Sequence, residues 1–334
     1  MNAPLPTLAP PDPSTDGSAP RHPTLRIAAV IPCYNEALTI GKVLEEFHAA
    51  LPEARLHVFD NASTDGTAAV ARTAGARVTH VPLRGKGNVA RRMFADVEAD
   101  VYVMVDGDAT YALSRLVEMV DRLVADNLDM VTGCRVDAPD EEAVTYRAGH
   151  RLGNRMLTGA VTLLFGGQMQ DLLSGFRVFS RRYAKSFPAV SEGFEIETEL
   201  TVHALELRMP YAEVPVHYRA RPEGSHSKLS TYRDGWRILR TICKLFVNER
   251  PLLFFSIVAA ALALASVLVA VPLFLTYWQT GLVPRLPTAV LVTGTMLVAM
   301  LSFFCGVVLH TVTMGRQEVK HLRYFAVPGV RQQE

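Results

Sequence analysis

Cysteine is scarce in this chain, with four in 334 residues. Cys33, Cys134, Cys243 and Cys305 are widely scattered. No pair has metal-site spacing or belongs to a disulfide framework, so the soluble part is expected to be reduced and cytosolic. An excess of either charge is also missing: 34 Lys and Arg against 33 Asp and Glu leave a net charge of +1. That excludes a global basic surface for nucleic acid, and any cationic patch must be local. The first residues, Met1 to Thr24, lack the apolar run of a signal peptide and are rich in Pro, Ala, Ser and Thr. They bury too little to offset chain entropy, so residues 1–24 are expected to form a disordered tail that exports nothing.

Charge is absent altogether from two long stretches, Leu252–Trp278 and Leu286–His310. Each exceeds the roughly 20 residues that cross a bilayer core as a helix. The short connector Gln279–Arg285 makes them a hairpin. Lys244, Arg250, Arg316, Lys320 and Arg323 flank the outer ends, against Arg285 alone in the connector. The excess of cations on one side predicts an integral membrane protein with both termini in the cytoplasm. Just before the first span, Arg233, Arg237, Arg240 and Lys244 share a helix face over 231–250, beside an apolar face of Trp236, Leu239, Ile242 and Phe246. This is the pattern of an interfacial helix.

From Leu25 to about Pro222 buried-strand runs alternate with amphipathic helical periodicity. Strands are expected at Arg26–Pro32, Leu56–Asp60, Ala76–Val81 and Val101–Val105, with helices at Thr39–Leu51, Thr67–Ala74 and Gly87–Ala95. The alternation predicts an α/β domain with a mostly parallel sheet, whose ligands bind at the carboxyl ends of the strands. Three polar clusters follow strands and so converge there: Cys33–Glu36, Asp60–Asp65 and Asp106–Asp108. Asp106-Gly107-Asp108 is central, because two carboxylates one small residue apart can share a divalent cation such as Mg²⁺ or Mn²⁺. Such a cation neutralises charge on a leaving diphosphate. Asp60 suits acceptance of hydrogen bonds from a base or ribose, and Ser63–Asp65 suits capping of the next helix.

Ile31-Pro-Cys-Tyr-Asn-Glu36, Asp60-Asn-Ala-Ser-Thr-Asp-Gly-Thr67 and Asp106-Gly-Asp108, in this order, resemble the inverting family 2 glycosyltransferases of the GT-A fold. Asp171-Leu-Leu-Ser-Gly-Phe-Arg177, Gly193-Phe-Glu-Ile-Glu-Thr-Glu199 and Arg221-Pro-Glu-Gly-Ser-His-Ser-Lys228 narrow the resemblance to dolichyl- or polyprenyl-phosphate mannose, glucose and N-acetylglucosamine synthases. It spans about Leu25 to Leu245 plus the paired spans. It implies a GT-A domain over 25–230, the juxtamembrane helix 231–250, spans 251–278 and 286–310, and a cytoplasmic tail 311–334. Pro32, Tyr34, Glu36, Asp60, Lys86, Asp106 and Gly107 would bind the donor, a UDP- or GDP-sugar. Asp106 and Asp108 would meet the metal. Arg135 and Arg151 would bind the acceptor phosphate, Arg221 and Lys228 would close over the phosphates, and Asp171 would lie near the reacting centre. Glu197 would be structural or on the acceptor side. Self-association through the spans would fit the relatives.

The chain departs from that pattern in three places. Asn61 replaces a second aspartate, Thr110 replaces a metal-ligating amide, and the Arg221–Lys228 loop is a residue longer than in many mannose synthases. The Q-x-x-R-W motif of processive polysaccharide synthases is missing, which predicts a single transfer. A phosphate monoester with a second pKa of about 6 is largely dianionic at neutral pH, so a polyprenyl phosphate needs little activation to attack. Transfer to a hydroxyl of a lipid-linked saccharide is the alternative and would need a firm base, for which Asp171 is the candidate. A membrane subunit that binds nucleotide-sugar without turnover is the second alternative.

Overall fold

A computed structural model describes residues 21–137, 148–222 and 231–330 of the chain. The element order is β1 (Ile27–Cys33), α1 (Ile40–Ala50), β2 (Arg55–Asp60), α2 (Thr67–Thr73), β3 (Arg77–His80), α3 (Lys86–Asp96) and β4 (Val101–Met104). It continues with α4 (Leu116–Ala125), β5 (Met130–Asp137), α5 (Ala148–Phe165), β6 (Arg177–Ser180), α6 (Arg181–Ser186), α7 (Ile196–Glu206) and β7 (Tyr211–Tyr218). Three helices close the chain: α8 (Thr231–Glu249), α9 (Pro251–Thr280) and α10 (Leu286–Phe325).

The seven strands form one sheet in the order β3-β2-β1-β4-β6-β5-β7. All neighbours are parallel except β6, which runs antiparallel to both β4 and β5. β1 shows why the sheet is a middle layer. Ile27, Ala29, Ile31 and Cys33 point into one apolar core with Phe47 of α1 and Met119 of α4. Ala28 and Val30 point into the other, with Met93 of α3 and Leu200 of α7. A strand covered on both faces must be apolar at every position, which is how β1 reads.

The chain divides into two compact units. One comprises Met1–Leu239 together with Lys320–Glu334, and the other is Arg240–Val319. Within the second, Gly306 lets α10 approach α9, since a β-carbon there would lie 2.8 Å from Cβ of Phe255. Ser266 donates to the carbonyl of Val292 at 2.8 Å. α9 and α10, of 30 and 40 residues, are both long and apolar enough to cross a membrane. Their leucines, valines and phenylalanines, such as Leu264, Leu268, Phe274, Leu301 and Phe304, face outward.

The helix that carries the second apolar stretch continues past His310 to Phe325, through Arg316, Gln317, Glu318 and Lys320, which are good helix formers. Among the described side chains of α8, Ile238 and Ile242 are buried, while Trp236 and Leu239 are exposed beside Arg237 and Arg240. The expected tail over 1–24 lies mostly outside the described residues.

The C-terminal end of α10 belongs to the first unit. Lys320 Nζ meets both carboxylate oxygens of Glu206 at 3.0 and 2.7 Å. The Tyr324 hydroxyl donates to Asp129 Oδ2 at 2.7 Å, and its ring lies under the Arg182 guanidinium at 4.9 Å. Val330 is buried in the core with Leu123 and Leu128.

Candidate active site

The loops after β1, β2, β3 and β4 meet the end of β7 and the start of α7 around a cleft of about 300 Å³. Pro32, Tyr34, Glu36, Lys86, Asp106, Gly107, Asp108, Arg135 and Arg221 all line it. Backbone geometry marks three of the loops that build it. Asn35, Ala62 and Ala109 have φ of 55°, 56° and 56°. A non-glycine residue at positive φ is uncommon and persists where its surroundings over-determine it.

Asp106-Gly107-Asp108 is fixed by its neighbours. A β-carbon on Gly107 would lie 2.5 Å from Cys33 Sγ, so the turn packs directly on β1. The Gly107 carbonyl accepts from the Thr39 hydroxyl at 2.7 Å. Asp108 is 5% exposed. Its Oδ1 accepts from the Thr110 amide at 3.1 Å and the Thr110 hydroxyl at 2.6 Å. Thr110, the departure noted in the sequence, therefore orients Asp108. The backbone beyond pairs with the end of β7: the Ala112 amide donates to the His217 carbonyl at 3.1 Å and the Arg219 amide to the Thr110 carbonyl at 2.7 Å. That pairing delivers Arg221, whose guanidinium donates to Asp108 Oδ2 and lies 3.9 Å from Glu36.

Asp106 meets a second cation. Lys86 Nζ lies 2.5 Å from Asp106 Oδ1 and 2.6 Å from Glu197 Oε1. Burial acts to lower the Lys86 pKa, but the two carboxylates outweigh it and hold the ammonium well above its usual range. Burial pushes the Glu197 carboxyl up despite Lys86. Gly175 admits this cluster, because a β-carbon there would collide with the Asp106 carboxylate and sit 3.1 Å from Lys86 Nζ.

Arg135 projects from β5. Its Nε and Nη2 donate to Oδ2 and Oδ1 of Asp171, both at 2.7 Å. The Arg135 amide donates to Asp171 Oδ2 at 3.2 Å, and Asn154 of α5 donates to Oδ1 at 3.1 Å. Burial alone would raise the Asp171 pKa, yet these hydrogen bonds and the guanidinium charge hold it below the usual carboxylate range. Both Asp171 oxygens are thus engaged by Arg135 and Asn154, and Asp171 stands behind Arg135 rather than among the cleft-lining residues.

Asp60 also falls outside the cleft lining, and Asn61 takes its place there. Asp60 is 4% exposed; Oδ2 meets His80 Nδ1 at 3.3 Å while buried Oδ1 has no partner. An orphaned carboxylate oxygen suits a ligand N–H or O–H. Asn61 is explained by its two-sided chemistry. Its amide donates to the carbonyls of Val81 at 3.1 Å and Leu83 at 2.7 Å, and its oxygen accepts from the Gly85 amide at 2.7 Å. An aspartate accepts only, so the amide alone can tie this loop. Arg151 lies on α5, but its side chain, like all of Lys228, falls outside the described residues.

Several cleft residues carried no sequence signal of their own. Arg84 stacks over the Tyr34 ring at 4.9 Å. Tyr111 and Tyr218 pack edge to face at 5.3 Å beside Arg135. The acidic run Glu195-Ile-Glu-Thr-Glu199 did point to Glu197, and Glu199 adds a second task. It accepts from the amides of Val190 and Ser191, both at 2.7 Å, steadying the loop whose Glu192 carbonyl receives the Gly87 amide at 3.0 Å.

The donor set fits a hard divalent cation. Asp106 and Asp108 offer carboxylate oxygens, and two protein cations already stand on them. Among the described residues no group of three His, Cys, Asp or Glu could hold an ion, so remaining ligands would come from substrate and water.

Over 236 residues the chain is 34% identical to the glycosyltransferase AglJ of Haloferax volcanii, covering 70% of this chain and 77% of that protein. Residues 28–187 match the sequence model of Glycosyl transferase family 2. The chain belongs to this glycosyltransferase family. A dolichyl-phosphate hexose transferase of the same organism is 29% identical, covering 67% of this chain and 95% of that protein. The fold matches glucosyl-3-phosphoglycerate synthase from Mycobacterium tuberculosis, solved with Mn²⁺, UDP-glucose and phosphoglyceric acid. The TM-score is 0.55 at 23% identity, over 67% of this chain and 81% of that one. The expected GT-A fold is borne out. This family 2 chain is thus a glycosyltransferase.

Proposed function

We propose that this glycosyltransferase moves a single sugar from a nucleoside-diphosphate-sugar, UDP- or GDP-linked, to a polyprenyl phosphate at the cytoplasmic surface of a membrane. The carrying observation is Arg135. A guanidinium held by a dedicated buried carboxylate lines the same cleft as Asp106 and Asp108. A cation fixed there suits a second anion brought next to a diphosphate, and two anions meet only where positive charge is supplied.

The residues divide the work. Tyr34, Arg84, Asn61 and Asp60 would receive the nucleoside end. Asp106 and Asp108 would hold Mg²⁺ or Mn²⁺, which when bound neutralises the departing diphosphate. Arg135 would hold the acceptor phosphate, aided by Arg151, and Arg221 and Lys228 would close on the phosphates. The dianionic phosphate attacks the anomeric carbon from the face opposite the leaving group, so an α-linked donor gives a β-linked product. No general base is required. Asp171, locked on Arg135 with a lowered pKa, is a poor one, which weighs against transfer to a hydroxyl. The two long apolar helices, and the exposed Trp236 and Leu239 beside Arg237 and Arg240, support a membrane-anchored enzyme acting on a lipid acceptor. The dolichyl-phosphate hexose transferase supports the same acceptor class.

The test is transfer by purified full-length protein from a panel of UDP- and GDP-sugars to polyprenyl phosphate, with a polyprenyl-diphosphate-sugar as rival acceptor. Arg135→Gln should cut turnover on polyprenyl phosphate by about 100-fold or more, while nucleotide-sugar affinity stays within about threefold. Preference for the diphosphate-sugar acceptor would overturn the proposal.

A further inference from the structure

The two acids of Asp106-Gly107-Asp108 are not held alike. Lys86 is clamped between Asp106 and Glu197, and its side chain is 9% exposed. Arg221 sits on Asp108 from a strand end, and its side chain is 24% exposed. The other oxygen of Asp108 is taken by Thr110. A divalent cation bound through Asp108 Oδ2 would therefore lie against the Arg221 guanidinium, at a separation where like charges repel strongly inside a protein cleft. Lys86 cannot leave without stranding the buried Glu197 carboxylate along with Asp106. Arg221 can leave, provided it finds another anion.

We infer that Arg221 is a positioning residue that stands in for the metal on Asp108 and gives way only when the donor arrives. The inference rests on the reading that this cleft takes a nucleoside-diphosphate-sugar with a divalent cation. The donor diphosphate supplies the anion that receives the displaced guanidinium. Cation and nucleotide then bind as linked partners: each raises the affinity of the other by the same factor, because both draw on the Asp108–Arg221 contact. The cation alone faces a competing positive charge that is tethered and always present. Glu36, 3.9 Å from the same guanidinium, keeps Arg221 nearby after release.

The experiment is Mn²⁺ binding to the full-length protein in detergent, read from the paramagnetic resonance of free Mn²⁺, with and without UDP or GDP. Wild type should bind Mn²⁺ weakly alone and at least about fivefold more tightly with its nucleotide. Arg221→Gln should bind Mn²⁺ alone at least about fivefold more tightly than wild type and show a smaller nucleotide-dependent gain, the remainder being direct ligation by the diphosphate. Arg221→Lys, which keeps the charge, should restore that gain. A purely structural Arg221 would weaken binding on removal; only a competing cation strengthens it. Arg221→Met repeats the test if the Gln variant does not accumulate. The inference is overturned if nucleotide-linked Mn²⁺ binding persists in wild type while Arg221→Gln binds Mn²⁺ no more tightly than wild type. If wild type binds no Mn²⁺ with either nucleotide, the reading of the cleft itself fails, and the inference with it.

Discussion

Asn61 shows how one atom decides a loop. The oxygen that accepts from Gly85 and the nitrogen that donates to Val81 and Leu83 sit on one amide. Asn61→Asp keeps the shape and removes both donated bonds. A loss of about 1–3 kcal/mol in stability is expected from chemical denaturation, with weaker nucleotide binding as the Arg84–Lys86 loop loosens. His203 makes a different point. It is 2% exposed, packed edge to face on Tyr183, with Ser186 on Nε2 and no partner on buried Nδ1. Burial, and then the charge of Lys320, lower its pKa from 6.5 to about 3. The unfolded chain therefore takes up a proton between those values that the folded chain refuses. Stability should fall as pH drops below about 6.5, and His203→Gln should flatten that part of the melting-temperature profile.

At the scale of the element, the turn after β4 is held by sterics as much as by charge. Gly107→Ala drives a methyl into Cys33, and about 1–3 kcal/mol of destabilisation is expected. Cys33→Ala in the same chain should recover part of it, a double-mutant cycle measurable by thermal unfolding. That Gly107 is glycine was plain in the sequence; that Cys33 is the reason was not, because the contact crosses from one strand end to another. The same limit runs through the fold. α1 was legible because Ile40, Val43, Leu44 and Phe47 repeat at helical spacing, and they are the buried residues. β6 was not, because four residues, Arg177–Ser180, carry no period, and its antiparallel direction comes from its partners. Asp106 and Asp108 could be singled out because chemistry needs both within a few residues. The partners that hold them, Lys86, Glu197 and Arg221, lie far along the chain and meet only in the folded sheet. Asp171 could be found but not understood, since its commitment to Arg135 spans 36 residues.

For the whole molecule, the two-unit division does not follow the order of the chain. Lys320, Tyr324 and Val330 belong with the catalytic unit although the other unit lies between. Asp129, fully buried, gathers Ser180, Arg182 and Tyr324 on one carboxylate. Tyr324→Phe removes a hydrogen bond to a buried charge, so the catalytic unit should lose about 2 kcal/mol. A chain ending at Val319 should lose more and melt several degrees lower, as scanning calorimetry would register.

That returning segment also sets an order of assembly. Synthesis runs from the amino end, so the sheet and its cleft leave the ribosome long before Tyr324 and Val330. The last contacts of the catalytic unit are made only after Arg240–Val319 has been translated. The unit that holds the sheet is finished last, by residues that emerge behind the two long apolar helices.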